Sequence, residues 1–155
     1  MIVESIINNG FPIRPTLFFR KVIERVEFQG EIYLRSFVMK LCDNNDNILM
    51  LIEASERDFE GYEPRHEKGC LINRFEYDVR LRDTELWVGF FYSFYSVVKS
   101  AFIPCDDNYH ICKYNYIWTQ SEENNQSLVV EALGLELMDV FDGIRTYVKR
   151  IPNNN

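Results

Sequence analysis

Two histidines and four cysteines carry the most reactive side-chain chemistry in this 155-residue sequence. Cys70 follows His66 closely, and Cys112 follows His110, so each imidazole has a thiol near it along the chain. A cysteine or serine hydrolase needs that base within hydrogen-bond reach of the nucleophile and a third group to orient it, which spacing along the chain does not supply. The segment "CDDNYHIC" sets Cys105, His110 and Cys112 beside Asp106 and Asp107, a mixture of soft and hard metal ligands. Structural zinc sites draw on two separated ligand pairs, and this spacing matches none of them. The segment reads as a polar turn leading into a strand with one cysteine tucked inward, and no metal is expected. The seven glycines are scattered, so no glycine-rich loop opens a helix for phosphate binding. Acids number 24, yet no pair is set apart for acid–base work, and no catalytic residue or cofactor is assigned.

The chemistry that does stand out belongs to contact. From Glu53 to Lys68 the chain carries six acids, Glu53, Glu56, Asp58, Glu60, Glu63 and Glu67, against Arg57, Arg65 and Lys68, with Phe59 and Tyr62 among them. Carboxylates steer a basic partner and pair with its Arg or Lys, while aromatic rings fill pockets and slow its release. Long loops inside compact domains tend to be functional, and "ERDFEGYEPRHEKG" is the longest loop candidate here. Glu56, Asp58, Phe59, Glu60, Tyr62, Glu63 and Glu67 are therefore the candidate partner-binding residues.

Charge over the whole chain agrees in sign. A net charge of −7 disfavours duplex nucleic acid and anionic membranes, which reward clustered Lys and Arg, and suits a basic protein surface. The N-terminal residues lack the basic and continuous apolar regions of a secretory signal, so a cytoplasmic setting, reduced thiols and no disulfide are expected. The most apolar stretch, "LWVGFFYSFYSVVKSAF", is interrupted by Ser93, Ser96 and Lys99 and is too short to span a bilayer, for which about 20 apolar residues are needed.

These residues must be positioned by a single domain, the usual outcome at this length, covering residues 1–155 with a disordered tail from Pro152 to Asn155. "NRFEYDVRL" alternates Phe75, Tyr77, Val79 and Leu81 with polar residues, the period of a strand wet on one face. The aromatic stretch fits a strand and a helix equally in period. Its aromatic and β-branched content favours a strand folded back onto Arg74–Leu81 through "RDTE". A second hairpin is expected around "DNNDN", because Asp and Asn accept turn conformations. "CKYNYIWT" reads as a further strand, and "LFFRKVIERVEF" as a strand able to pair across Gln29 and Gly30. From Ser127 onward, Leu133, Leu137, Phe141, Ile144 and Val148 recur at helical spacing, with acids before bases as the helix dipole prefers. Gly134 and Gly143 would each cost about 1 kcal/mol inside that helix.

The expected fold is α+β: a mostly antiparallel β-meander of about six strands with a long C-terminal amphipathic helix packed on it. The expected function is a small acidic binding protein that inhibits or neutralises a basic protein partner, as an immunity protein does a toxin. A small-molecule carrier lined by Trp87, Phe91, Tyr95, Tyr114, Tyr116 and Trp118 is the alternative, and an enzyme with a Cys/His or carboxylate site a further one.

Overall fold

The computed structural model describes residues 13–20, 25–28, 31–34, 37–43, 47–57, 68–81, 85–100, 102–105, 108–111, 113–122 and 127–152. A seven-stranded sheet organises them. β4 (Phe37–Asp43) and β5 (Ile48–Glu56) pair antiparallel across the Asp/Asn-rich turn, which is closed where the Asn47 N–H donates to Asp43 Oδ1 at 2.9 Å. β6 (Gly69–Tyr77) pairs antiparallel with the other edge of β5, and β1 (Ile13–Arg20) with the outer edge of β4. β2 (Arg25–Phe28) and β3 (Glu31–Leu34) form a separate hairpin across Gln29 and Gly30; of the single strand expected over Leu17–Phe28 only this last part pairs there, and Leu17–Arg20 belongs to β1 beside β4.

β9 (Tyr116–Ser121) enters beside β6 in parallel, and this one parallel pair corrects two expectations. A parallel neighbour cannot be reached by a hairpin; the chain must cross over a face of the sheet, usually as a helix. The aromatic stretch is that crossover. Instead of folding back as a strand, Glu85–Ser100 forms α1, with Phe90, Phe91, Phe94 and Val98 buried at helical spacing and Val88 and Tyr92 exposed. "NRFEYDVRL" is a strand only to Tyr77; Val79–Leu81 is a 3-10 turn leading toward α1. Between α1 and β9 lies a small hairpin, β7 (Phe102–Cys105) with β8 (Asn108–Ile111).

The long C-terminal helix is also corrected. Helix α2 spans only Ser127–Leu133, and the chain then forms β10 (Glu136–Phe141) and β11 (Ile144–Arg150), an antiparallel hairpin. The glycines explain the change. Gly134, at φ 71°, ends α2 as the Leu135 N–H reaches the Val130 carbonyl at 2.9 Å and the Gly134 N–H reaches that of Glu131 at 3.3 Å. That pair of bonds caps a helix terminus through a left-handed residue. Asp142 and Gly143, at φ 53° and 79°, are the two central residues of the hairpin turn, a conformation that Asp-Gly favours. The fold is thus a mixed sheet in the order β1-β4-β5-β6-β9-β11-β10 with the crossover helix α1 and the short α2, not a meander under a long C-terminal helix.

Both faces of the sheet are covered in its centre. On the helix face, Phe37, Met39, Met50, Ile52, Ile72 and Ile117 pack with Phe90, Phe94 and Val98 of α1 and Val129 and Leu133 of α2. On the other face Leu71, Tyr116, Trp118 and Val148 form a smaller cluster.

Candidate functional site

The parallel pair β6–β9 gives the sheet two unlike ends. Both strands begin at one end, where β5 finishes and the acidic segment leaves and re-enters. The Arg57 N–H donates to the Gly69 carbonyl at 2.9 Å, so the excursion from residue 58 to residue 67 starts and finishes at one closed neck. Three contacts brace that neck. The indole Nε1–H of Trp118 donates to the Arg57 carbonyl at 2.8 Å, and the Asn115 N–H to the Lys68 carbonyl at 2.9 Å. On the helix face the Tyr114 hydroxyl donates to Glu56 Oε1 at 2.5 Å, with both side chains buried. A carboxylate removed from water is costly unless hydrogen-bonded, so this bond fixes the last residue of β5 where it enters the neck. Gly69 makes the closure possible by size: a Cβ there would stand 2.4 Å from the Tyr116 ring and 2.8 Å from the Arg57 carbonyl oxygen.

At the opposite end the two strands part. Their pairing stops at Ile72 and Thr119, although β6 continues to Tyr77 and β9 to Ser121. The buried Thr119 hydroxyl donates to the Ile72 carbonyl at 3.0 Å, as the last tie between them. Just beyond it β6 bulges against β5: Glu53 pairs with Arg74 and Ala54 with Ile72, leaving Asn73 extra, with its amide donating to Ser55 Oγ at 3.0 Å. Bulges re-aim side chains and end pairing, and open α/β sheets bind ligands beyond the carboxyl ends of their parallel strands. On the helix face this region is filled by rings. Phe75 lies 5.7 Å from Trp87 and 5.1 Å from Phe91, and Tyr77 lies 5.0 Å from Trp87.

The turn after β6 is fixed by one ion pair. Arg80 Nη2 stands 2.6 Å from Asp78 Oδ2, its Nε donates to Oδ1 at 2.9 Å, and the Arg80 backbone N–H also donates to Oδ1. The Arg80 side-chain hydrogen bonds, ahead of its backbone bond, hold the Asp78 carboxyl down at about 2, and the same pairing raises the guanidinium.

Of the residues singled out for partner binding, Glu56 is the one within the described residues, as the buried carboxylate of the neck; Asp58, Phe59, Glu60, Tyr62, Glu63 and Glu67 lie outside them. The proposed carrier lining is not brought to one place. Trp87 and Phe91 lie on the helix face, whereas Tyr116 and Trp118 belong to the cluster on the other side of the sheet. In "CDDNYHIC", Cys105 pairs with Asn108 and His110 with Ile103 across the β7–β8 hairpin, while Asp106, Asp107 and Cys112 lie outside the described residues. Among the described residues no three metal-ligating side chains cluster, and no helix is long and apolar enough to cross a membrane. Sequence reasoning missed the neck because its partners are far apart along the chain: Glu56 and Tyr114 are 58 residues apart, and Arg57 and Trp118 are 61.

No family model matches this chain, and no curated protein matches it. Among solved structures it is similar to an acetyltransferase of the GNAT family from Listeria monocytogenes 4b F2365, with a TM-score of 0.50 at 11% identity. The match covers 73% of this chain and 63% of the Listeria protein, so the chain spans under two thirds of that protein's length. At this identity the likeness concerns the fold.

Proposed function

We propose that this protein works by binding a basic protein partner through the acidic, aromatic segment Asp58–Glu67, with the rest of the domain as its rigid support. The closed neck carries this reading. A segment with Asp58, Glu60, Glu63 and Glu67 around Phe59 and Tyr62 departs from a partly buried base fixed by the Arg57–Gly69, Trp118–Arg57 and Tyr114–Glu56 hydrogen bonds. Recognition segments are commonly held this way, as loops on a scaffold that does not move. Glu56 serves as an anchor of the neck, and the acids and rings beyond it make the contact.

Acetyl transfer, the activity named for the Listeria protein, is the competing reading, and the parting of β6 and β9 beside the Asn73 bulge favours it. An acyl group carried on a phosphate-bearing cofactor such as coenzyme A would need backbone N–H groups brought close to its phosphates, as glycines at a helix N-terminus allow. The residues here do not fit that cofactor. From Asp78 to Val88 there is no glycine, the acid Glu85 is the first residue of α1, and the Arg80 guanidinium is engaged by Asp78. No step through such a donor is derived.

The two readings separate in one set of measurements. Partners recovered from the host with the intact chain are purified, and their association is followed as salt is varied. Reversing Asp58, Glu60 and Glu63 to Lys should slow association and flatten its salt dependence, while Phe59→Ala and Tyr62→Ala should speed dissociation. A partner indifferent to both sets refutes the assignment of the segment. Release of free thiol from acetyl-coenzyme A by the purified chain with an amine acceptor would establish transfer instead.

A further inference from the structure

The end of the sheet that carries the neck is rimmed with bases. β5, β6, β9 and β11 are neighbours in the sheet, and at this end β5 and β11 finish while β6 and β9 begin. Arg57 follows β5, Lys68 precedes β6, Lys113 stands just before β9, and Lys149 and Arg150 end β11. The Asn115 N–H donates to the Lys68 carbonyl and the Ile151 N–H to the Asn115 carbonyl, each at 2.9 Å, so stretches far apart in the chain are stitched into one rim. Arg57, Lys113 and Arg150 are exposed. Lys149 donates to the Leu133 carbonyl at 3.2 Å and stands over the Tyr95 ring, and Arg150 stands over the Tyr116 ring; such uncharged partners place a cation without cancelling its charge. On the described strands, the acids at this end are Glu56, buried against Tyr114, and Glu136, paired with Val148. The opposite end has the reverse balance, with Asp43, Glu76, Asp78, Glu122 and Asp142 against Arg80 and Arg145.

We propose that this rim is a second contact surface, and that the partner it fits is a protein whose basic patch is bordered by acids. The inference rests on the reading of Asp58–Glu67 as the segment that meets a basic partner, and it names the charge pattern that partner must carry. Neighbouring strands lie about 4.8 Å apart, so four of them make a rim about 15 Å wide. A standard interface covers about 800 Å² of each protein, a patch roughly 30 Å across. A protein seated on a segment that leaves at Arg57 and returns at Lys68 therefore overlies the rim as well. A surface basic throughout gains against Asp58, Glu60, Glu63 and Glu67 and loses against Arg57, Lys113 and Arg150. A polyanion does the reverse. Acids placed around a basic patch satisfy both, and the rim then rejects partners that are merely basic.

The sign of one pair of charge reversals tests this. Arg57→Glu with Lys113→Glu, both at exposed positions, should keep the thermal midpoint and slow association of the partner purified from the host about three- to tenfold, an effect that shrinks as salt rises. Two synthetic peptides calibrate the sign: the same reversals should tighten binding of an oligolysine and weaken binding of that oligolysine flanked at both ends by glutamates. A partner whose association speeds up like the oligolysine, or does not change, overturns the proposal, and so does a flanked peptide that is not weakened. The segment reading fails separately, if reversing Asp58, Glu60 and Glu63 to Lys leaves association of the partner unchanged.

Discussion

The two ends of the β6–β9 pair are held by different physics. At the neck, buried and partly buried polar groups meet across long sequence separations, Tyr114 to Glu56 and Trp118 to the Arg57 carbonyl, and a glycine is pressed against a tyrosine ring. At the opposite end the strands part, and order comes from apolar rings stacked between β6 and α1 and from a surface ion pair at Asp78. Buried hydrogen bonds are directional and leave costly orphans when broken, so they hold one geometry. Ring packing is strong in total and tolerant of small shifts, which lets that end carry a bulge without losing its core. A domain that must present a segment in a fixed place is best served by the first kind of end.

Four measurements break or sharpen this contrast. The largest effect is expected at the ring-packed end, where Phe91→Ala should cost about 3–5 kcal/mol in denaturant unfolding by opening a cavity against Phe75 and Trp87; a loss below about 1 kcal/mol would show that the rings do not hold α1 to β6. Next comes Gly69→Ala, for which about 1–3 kcal/mol is expected, because the new methyl meets a backbone carbonyl that cannot swing aside. If Gly69→Ala is as stable as the parent, the neck has room for a methyl group at position 69. Tyr114→Phe keeps the ring and removes one donor from a buried carboxylate, a change of about 1–2 kcal/mol, and it should speed exchange of the Arg57 and Asn115 amides more than that of amides in α1.

The smallest effect concerns pH. The Asp78 carboxyl is held at about 2 against an ordinary 3.8 by Arg80. A lowered carboxyl value means that whatever stability the pair adds is present above the ordinary value and is lost as pH falls from about 4 through about 2. Carboxyl NMR titration should find Asp78 near the bottom of that range and, in Arg80→Ala, returned toward the ordinary value. An unchanged titration would remove Arg80 as the cause. Surface pairs of this kind contribute little.

Local sequence signals were reliable where the deciding contacts were local. The β4–β5 hairpin follows from Asp and Asn in its turn, and β2–β3 follows from pairing across Gln29 and Gly30. The Asp142-Gly143 turn was equally local, and the C-terminal hairpin could have been read from it; the helical spacing of Leu133, Leu137, Phe141, Ile144 and Val148 outweighed it. Of those five, Leu133 and Val148 are buried, one at the end of α2 and the other in β11, while Leu137 and Phe141 are exposed on the edge strand. The period was an accident of two strands and a short helix. For the candidate site, the acidic and aromatic composition of residues 53–68 was plain in the sequence, while the neck that holds it was not.

The sequence by itself determined the charge of the molecule, its turns at Asp43–Asn47 and Asp142–Gly143, and the end of α2 at Gly134, since each follows from neighbouring residues and backbone sterics. Tertiary structure decided the rest. The aromatic stretch has the same apolar content as a strand or as a helix, and it is a helix because β9 lies parallel to β6 and can be reached only by crossing a face. Glu56, by composition one more surface acid, is buried because Tyr114 arrives from 58 positions away to satisfy it. Free energies of that kind belong to pairs that meet only after folding, and no local pattern records them.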